Sequence, residues 1–292
     1  MEAMYFTGHE TFHCRNYWLK KGLDLLWGGK RFDEEAVVEL GVGKNMVSAI
    51  RFWLKAFDLL DADEKPNSFA ELLFRDGSGL DPYLEDPASL WLLHYRLVTA
   101  KRSSIYHFVF NFFRKQRIEF REEHLRAYLE RQVEESGQFI HSSSIRKDIS
   151  VFLRNYLPPN PSKGIEEGFS RMLYELELIE QIGKEAEASK GKDRRFKIEN
   201  KVRRDLPYQV LLYCIVENPN YSTSINFKQL SSDVDSVGSV FALSDAGLLG
   251  KIEELIQDYP KHAVFTDDGG VRVLQFRKPI DHKGVLKLYY DK

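Results

Sequence analysis

The chain has 292 residues, enough for two or three compact units with sizeable hydrophobic cores, which excludes a small disulfide-stapled module. Apolar residues make up 43% and charged residues 29%, with a mean hydropathy of -0.40, the profile of a chain that folds in water. The formal net charge of -2 excludes a protein that coats nucleic acid by bulk positive charge, although a local basic face remains open. Cys14 and Cys214 lie too far apart to suggest a disulfide framework or a metal knuckle, so a reducing, cytoplasmic setting is expected. No basic leader with an apolar core opens the chain, and Tyr208 to Val216 is too short to span a bilayer, so no membrane anchor is expected.

In chain order, Phe12, Leu19, Leu23 and Leu26 recur at helical spacing and predict a helix from Thr11 to about Trp27, ended by Gly28-Gly29. Asp33 can cap a short helix that Gly41 stops, and a longer helix follows from Lys44 to about Phe57. Leu59-Leu60 and Phe69 to Phe74 flank the turn-rich Asp63 to Asn67 and predict a β-hairpin. Pro87 to Glu135 is helical in pattern, as is Ser142 or Ser143 through Tyr156, stopped by Pro158-Pro159-Asn160-Pro161. A helix is predicted from Ile165 to about Leu178, and strands at 179 to 182 and 195 to 198 bracket a long polar tip. A helix runs from Pro207 to Glu217, Ser244 caps another, and Asp267-Asp268-Gly269-Gly270 predicts a tight hairpin between 263–266 and 271–277. The expected fold class is mainly α with short β-hairpins (α+β), with several winged-helix-like units joined by a helical connector. The expected boundaries are residues 1–86, 87–206 and 207–292.

Chemistry is concentrated in five places. The outward face of the helix from Lys44 to Lys55 offers Lys44, Asn45, Ser48, Arg51 and Lys55 with no acidic side chain, which suits phosphate contacts and a base-edge contact from Asn45. The plainer alternative is a solvated helix surface or a protein-docking surface. From Phe57 to Trp91, nine acidic residues stand against two basic ones, a stretch that repels a duplex or meets a basic partner. Between Lys190 and Arg204 the bias reverses, with eight basic residues against two acidic ones. Lys190, Lys192, Arg194 and Arg195 are the DNA-contact candidates on that hairpin, and a merely soluble loop is the plainer alternative. A smaller cluster, Arg114, Lys115, Arg117 and Arg121, can add to the same face.

His9-Glu10-Thr11-Phe12-His13 matches the H-E-x-x-H pattern of zinc hydrolases, in which two histidines share a helix face and the glutamate serves a metal-bound water. A third ligand is needed, and Glu34, Glu35 and Glu39 can be offered with nothing to favour any. His9 and Glu10 are the acid-base or ligand candidates; the plainer alternative has Glu10 favouring a helix start while both histidines line its polar edge. No phosphate-cradling glycine loop or dinucleotide fingerprint is present, so no nucleotide cofactor is expected. Gln275 stands where the common metal-nuclease pattern after Asp267-Asp268 would want a carboxylate.

Two blocks carry a resemblance. His9-Glu10-Thr11-Phe12, followed by Arg15, Trp18-Leu19 and Lys21-Gly22, is one; Val42-Gly43-Lys44-Asn45-Met46-Val47, followed by Ala49-Ile50-Arg51 and Trp53, is the other. Together they resemble the bacterial defence-island family DUF4007, a domain of unknown function encoded beside phosphoadenosine-phosphosulfate-reductase-like genes. The resemblance implies the DNA-nicking component of an Ssp-type phosphorothioation system, where a nick gives sulfur-inserting partners access to the backbone. The family's His-Glu-Thr-Phe block falls on His9 to Phe12 and its Gly-Lys-Asn-Met block on Gly43 to Met46; His13 lies outside the family pattern, so the zinc-hydrolase match reads as accidental. The expected partners are double-stranded DNA and other phosphorothioation-system proteins, and the expected metal is magnesium or manganese with unknown ligands. The alternative is a non-catalytic DNA-binding or protein-docking adaptor of the same system.

Overall fold

The structure is a computed structural model and describes residues 3–158, 171–183 and 194–291. It combines helices with two small antiparallel sheets, an α+β arrangement. The chain divides into two compact units, one formed by Met1–Glu85 with Arg96–Glu199 and the other by Asp86–Tyr95 with Asn200–Lys292.

The first unit opens with an irregular segment and three helices, α1 (Trp18–Trp27), α2 (Ala36–Leu40) and α3 (Lys44–Ala56). Gly41 adopts a left-handed φ of 64°, the conformation that lets the chain turn between α2 and α3. Gly22 permits close approach of α1 to α3, since a Cβ there would lie 2.7 Å from Ile50 Cγ2. Trp53, Leu54, Leu23 and Leu19 are wholly or almost wholly buried at this crossing.

Two expectations fail in this region. The first helix begins at Trp18 and not at Thr11, because Thr7, Gly8, Glu10, Thr11 and Tyr17 all take positive φ, which no right-handed helix accommodates. The hairpin after α3 is reduced to one bridge between Leu60 and Pro66, and its second arm is a helix, α4 (Ser68–Phe74). The physical reason is the cap: Asn67 Oδ1 accepts from the amides of Phe69 and Ala70, and Phe69, Ala70, Leu73 and Phe74 then fall on one buried face.

Helix α5 (Pro87–Thr99) is followed by α6 (Ser104–Phe108), a π-helical turn (Val109–Phe113) and α7 (Arg114–Gln116). Next come strand β1 (Glu119–Phe120), α8 (Glu122–Ser136) and α9 (Ser142–Tyr156). A 3-10 turn occupies Met172–Leu176, so the helix expected from Ile165 is not continuous there, and residues 165–170 lie outside the described residues. Strands β2 (Glu180–Ile182) and β3 (Arg195–Lys197) pair antiparallel, and β1 joins them in the order β1-β3-β2, with Phe196 opposite both Phe120 and Gln181. Phe120 and Phe196, buried with ring centroids 5.6 Å apart, bind this sheet to the helical core.

In the second unit the Pro87–Tyr95 part of α5 accompanies α10 (Tyr208–Glu217), β4 (Ser224–Asn226), α11 (Phe227–Ser232) and α12 (Val237–Val240). There follow α13 (Asp245–Asp258), β5 (Ala263–Asp268), β6 (Val271–Phe276) and α14 (His282–Tyr290). Ser244 caps α13 by accepting from the amide of Gly247. Gly269 (φ 58°) and Gly270 (φ 84°) make the two-residue turn between β5 and β6, which matches the predicted hairpin. The sheet order is β4-β6-β5. Trp91 and Phe241 meet edge to face, and Tyr95 donates to the carbonyl of Cys214 at 3.2 Å. Both cysteines are free and buried, and among the described residues no helix is long and apolar enough to cross a membrane.

Candidate nucleic-acid interface

The N-terminal half of the α3 face is open: Lys44, Asn45 and Ser48 are exposed. Its C-terminal half is already engaged. Arg51 donates to Glu64 through Nε (2.8 Å) and Nη2 (2.6 Å), and Lys55 Nζ lies 2.5 Å from the same carboxylate. Those hydrogen bonds, Arg51 first and then Lys55, hold the Glu64 carboxyl down at about 2. The ridge is acid-free within the helix but not in space. Replacing Glu64 with glutamine releases both cations and, if this ridge meets DNA, is expected to strengthen duplex binding about threefold to tenfold in a titration at low salt. Unchanged affinity would place the duplex elsewhere. The other acids of the Phe57 to Trp91 stretch are also partly paired, Asp58 with Arg96 at 2.9 Å and Asp76 with Lys20 at 3.0 Å.

Of the predicted hairpin residues, Lys190 and Lys192 lie outside the described residues. Arg194 stacks over Phe196 at 5.2 Å and donates to Gln181 at 2.9 Å, while Arg195 is exposed on β3.

Arg194 is part of an arrangement that the sequence pattern did not isolate. A groove of ≈ 580 Å³ is lined by Arg121, Arg126, Arg146 and Arg194, with Glu122, Glu123 and Ile149. The start of α8, the outer face of α9 and the edge of the β2–β3 hairpin supply these side chains. Arg121 pairs weakly with Glu123 at 3.5 Å. Among the described residues Arg126 and Arg146 carry no ion-pair partner. Beside the groove, Arg146, Lys147 and Ser150 are exposed on α9. The helix's one acid, Asp148, is 2% exposed and turned inward. The signal was present at helical spacing: Ser143, Arg146, Lys147, Ser150 and Arg154 share one face, opposite Ile145, Ile149 and Phe152.

Asp148 faces the N-terminal block. Its Oδ1 accepts from His9 Nε2 at 3.0 Å and from the Thr7 amide at 2.8 Å, while His9 Nδ1 accepts from the Thr11 amide at 3.1 Å. Both ring nitrogens of His9 are therefore occupied, which corresponds to the Nε2–H tautomer. His9 is 2% exposed, and its ring is stacked on Trp53 with centroids 6.3 Å apart. Glu10, one residue on, is exposed at the tip of the turn with φ 48°. His9 and His13 do not share a helix face, so the zinc-hydrolase geometry is absent. Among the described residues no three His, Cys, Asp or Glu side chains converge to hold a metal ion, so this donor set does not fit a protein-caged centre.

His13 is buried, and that burial, followed by the charges of Arg171, Arg154 and Arg15, pushes its pKa down to about 3. The unfolded chain protonates this imidazole near its ordinary 6.5, whereas the folded chain resists until about 3, so the unfolded state binds more protons between those values. Stability attributable to this group therefore falls as pH drops through that window, by about 2 to 3 kcal/mol between pH 7 and pH 4.5. Urea titrations at the two pH values should show a smaller loss for His13→Gln than for the wild-type chain; equal losses would mean that His13 is not held neutral.

Two solved structures resemble the chain over 99% of its length. One, titled as an SspB crystal structure, has 27% identity, a TM-score of 0.82 and 88% of its own chain covered. The other, titled as a magnesium ion-bound SspB crystal structure, has 28% identity, a TM-score of 0.83 and 88% covered. Among curated proteins no match is found. The model of the family described as "Protein of unknown function (DUF4007)" matches residues 6–290, so the chain belongs to that family.

Proposed function

We propose that this protein is a DNA-binding component of a bacterial phosphorothioation defence system, acting in the cytoplasm on double-stranded DNA beside other proteins of that system. The observation that carries this reading is the arginine groove at α8, α9 and the β2–β3 hairpin, set beside an outer helix face free of acids. Guanidinium forks match phosphate oxygens, and an acid-free helix face can enter a groove without electrostatic penalty. The likeness to SspB supports the choice of system.

Among the described elements a strand, then α-helices and then a hairpin follow one another twice, with two helices (α8, α9) after β1 and three (α11, α12, α13) after β4, and strand orders β1-β3-β2 and β4-β6-β5. We read both as winged-helix units, in which the last α-helix before the hairpin, α9 or α13, is the one that approaches a duplex. Lys44, Asn45 and Ser48 on α3 form a further contact face in this reading.

Nicking is the enzymatic form of the proposal. The exposed Glu10 is its candidate carboxylate, while His9 holds the N-terminal turn against α9. The occupied His9 ring favours a second reading, an adaptor that positions DNA for a partner enzyme. Purified protein with supercoiled plasmid and magnesium or manganese, alone and with partner proteins, separates the two. Conversion to open circles that Glu10→Gln abolishes, with duplex binding intact, supports nicking. Binding without conversion supports the adaptor, and absence of duplex binding at low salt overturns both.

A further inference from the structure

Phe139 is 92% exposed, the most open of the large apolar side chains among the described residues. It lies in the short loop between α8 and α9, and that loop is held at both ends. On the α8 side Gly137 takes a left-handed φ of 73°, the Gln138 amide donates to Ser136 Oγ at 3.2 Å, and the Met4 amide donates to Gln138 Oε1 at 2.9 Å. On the α9 side the His141 carbonyl accepts from the Ser144 amide at 2.8 Å, and Ser142 Oγ donates to Glu130 Oε1 of α8 at 2.5 Å. His141 is also exposed, and its ring stands edge to face with Phe139, centroids 6.5 Å apart. A lone exposed apolar side chain is ordinary on a protein surface; this ring differs in being displayed from an anchored turn at the start of a cationic helix face.

Arg146 and Lys147 are exposed in the first two turns of α9, Arg146 about 6 Å along the axis from Ser142, and the helix's one acid, Asp148, is buried. On the α8 side Glu135 is engaged by Arg131 (3.8 Å) and Gln132 (2.8 Å), leaving Glu134 as the acid open to water there. A flat apolar ring beside a lysine and an arginine suits a polyanion that also offers flat faces, which is nucleic acid. A second copy of the chain meeting this loop across a twofold axis would set the same cations against each other. Phenylalanine has no donor or acceptor with which to read base edges, and in an intact duplex the base faces are covered by their neighbours. We propose that Phe139, with His141 beside it, is a stacking platform for an unpaired base, so that the DNA selected by this loop is a duplex interrupted by a short gap or an extruded base. The phosphate contacts of α9 hold the flanking backbone. This inference rests on the reading of α9 as a DNA-facing helix.

The test titrates the full chain, with a chelator present, against an intact duplex and against the same duplex carrying a short thymidine gap. The gap is also prepared with 5-iodouracil for photo-crosslinking. Tighter binding of the gapped DNA and a crosslink to Phe139 are expected. Phe139→Ala should weaken gapped-DNA binding roughly tenfold and intact-duplex binding by less than about twofold, and Phe139→Trp should restore the difference. Phe139→Leu, which keeps apolar bulk without a flat face, should stay near the alanine value. Because the side chain is exposed, each variant should fold as the wild type does. Equal losses on the two DNAs overturn the unpaired-base assignment and place the ring against the duplex itself, on a thymine methyl or as a wedge. No loss on either DNA overturns the platform and leaves the duplex-binding reading of α9 standing. A dimer of the full chain that Phe139→Ala dissolves, with DNA binding unchanged, overturns it in favour of a second copy. If the wild-type chain binds neither DNA at low salt, the duplex-binding reading fails and the platform with it.

Discussion

Replacing Arg126 and Arg146 together with glutamine is expected to weaken duplex binding on the order of 100-fold at moderate salt and to lower its salt slope by about two. Both side chains line the groove, and among the described residues neither is committed to an ion pair, so each is available to one phosphate. A charge-assisted contact contributes about 1.5 to 3 kcal/mol, and two of them lost together set the size of the effect. Arg131→Gln is the control, because Arg131 is on the same helix but lies over Tyr128 and beside Glu135. If the double variant binds with wild-type slope while Lys44→Gln reduces it, the duplex meets α3 and not α9.

Asp148→Ala should destabilise the fold by about 3 to 5 kcal/mol, seen as a lowered urea midpoint. The substitution strands two buried or part-buried donors, His9 Nε2–H and the Thr7 amide, in a region that excludes water. It also releases the N-terminal turn that carries Glu10 and Thr11, whose carbonyl receives Arg154. Asp148→Asn retains an acceptor oxygen, so its loss should be nearer 1 kcal/mol. Equal losses in the two variants would show that packing, and not the hydrogen bonds, holds the segment.

Much of the secondary structure was legible because its signals are local. α3, α9, α10 and α13 follow from apolar residues repeated every three or four positions with a cap or stop at the end. The hairpin of β5 and β6 follows from two glycines able to take positive φ. The first helix was drawn too early for an equally local reason. Phe12 fits the stripe of α1, but it packs instead from an irregular turn, with its ring 6.1 Å from Trp18 and its carbonyl accepting from Trp53. The arm at Phe69 was misread because a short apolar run has no unambiguous period, and Asn67 decided it as a helix cap.

The chain by itself determined most of its helices, the glycine turns and its family membership. Tertiary structure alone decided which charges act together. It brought Glu64 onto Arg51 and Lys55, gathered arginines from α8, α9 and the edge of the β2–β3 hairpin along one groove, and buried His9 against an aspartate 139 positions away. Periodicity reports which face of an element is apolar, because that is set by neighbours three or four residues distant. The electrostatic partner of a side chain is set by how the elements pack against one another, which no local period encodes.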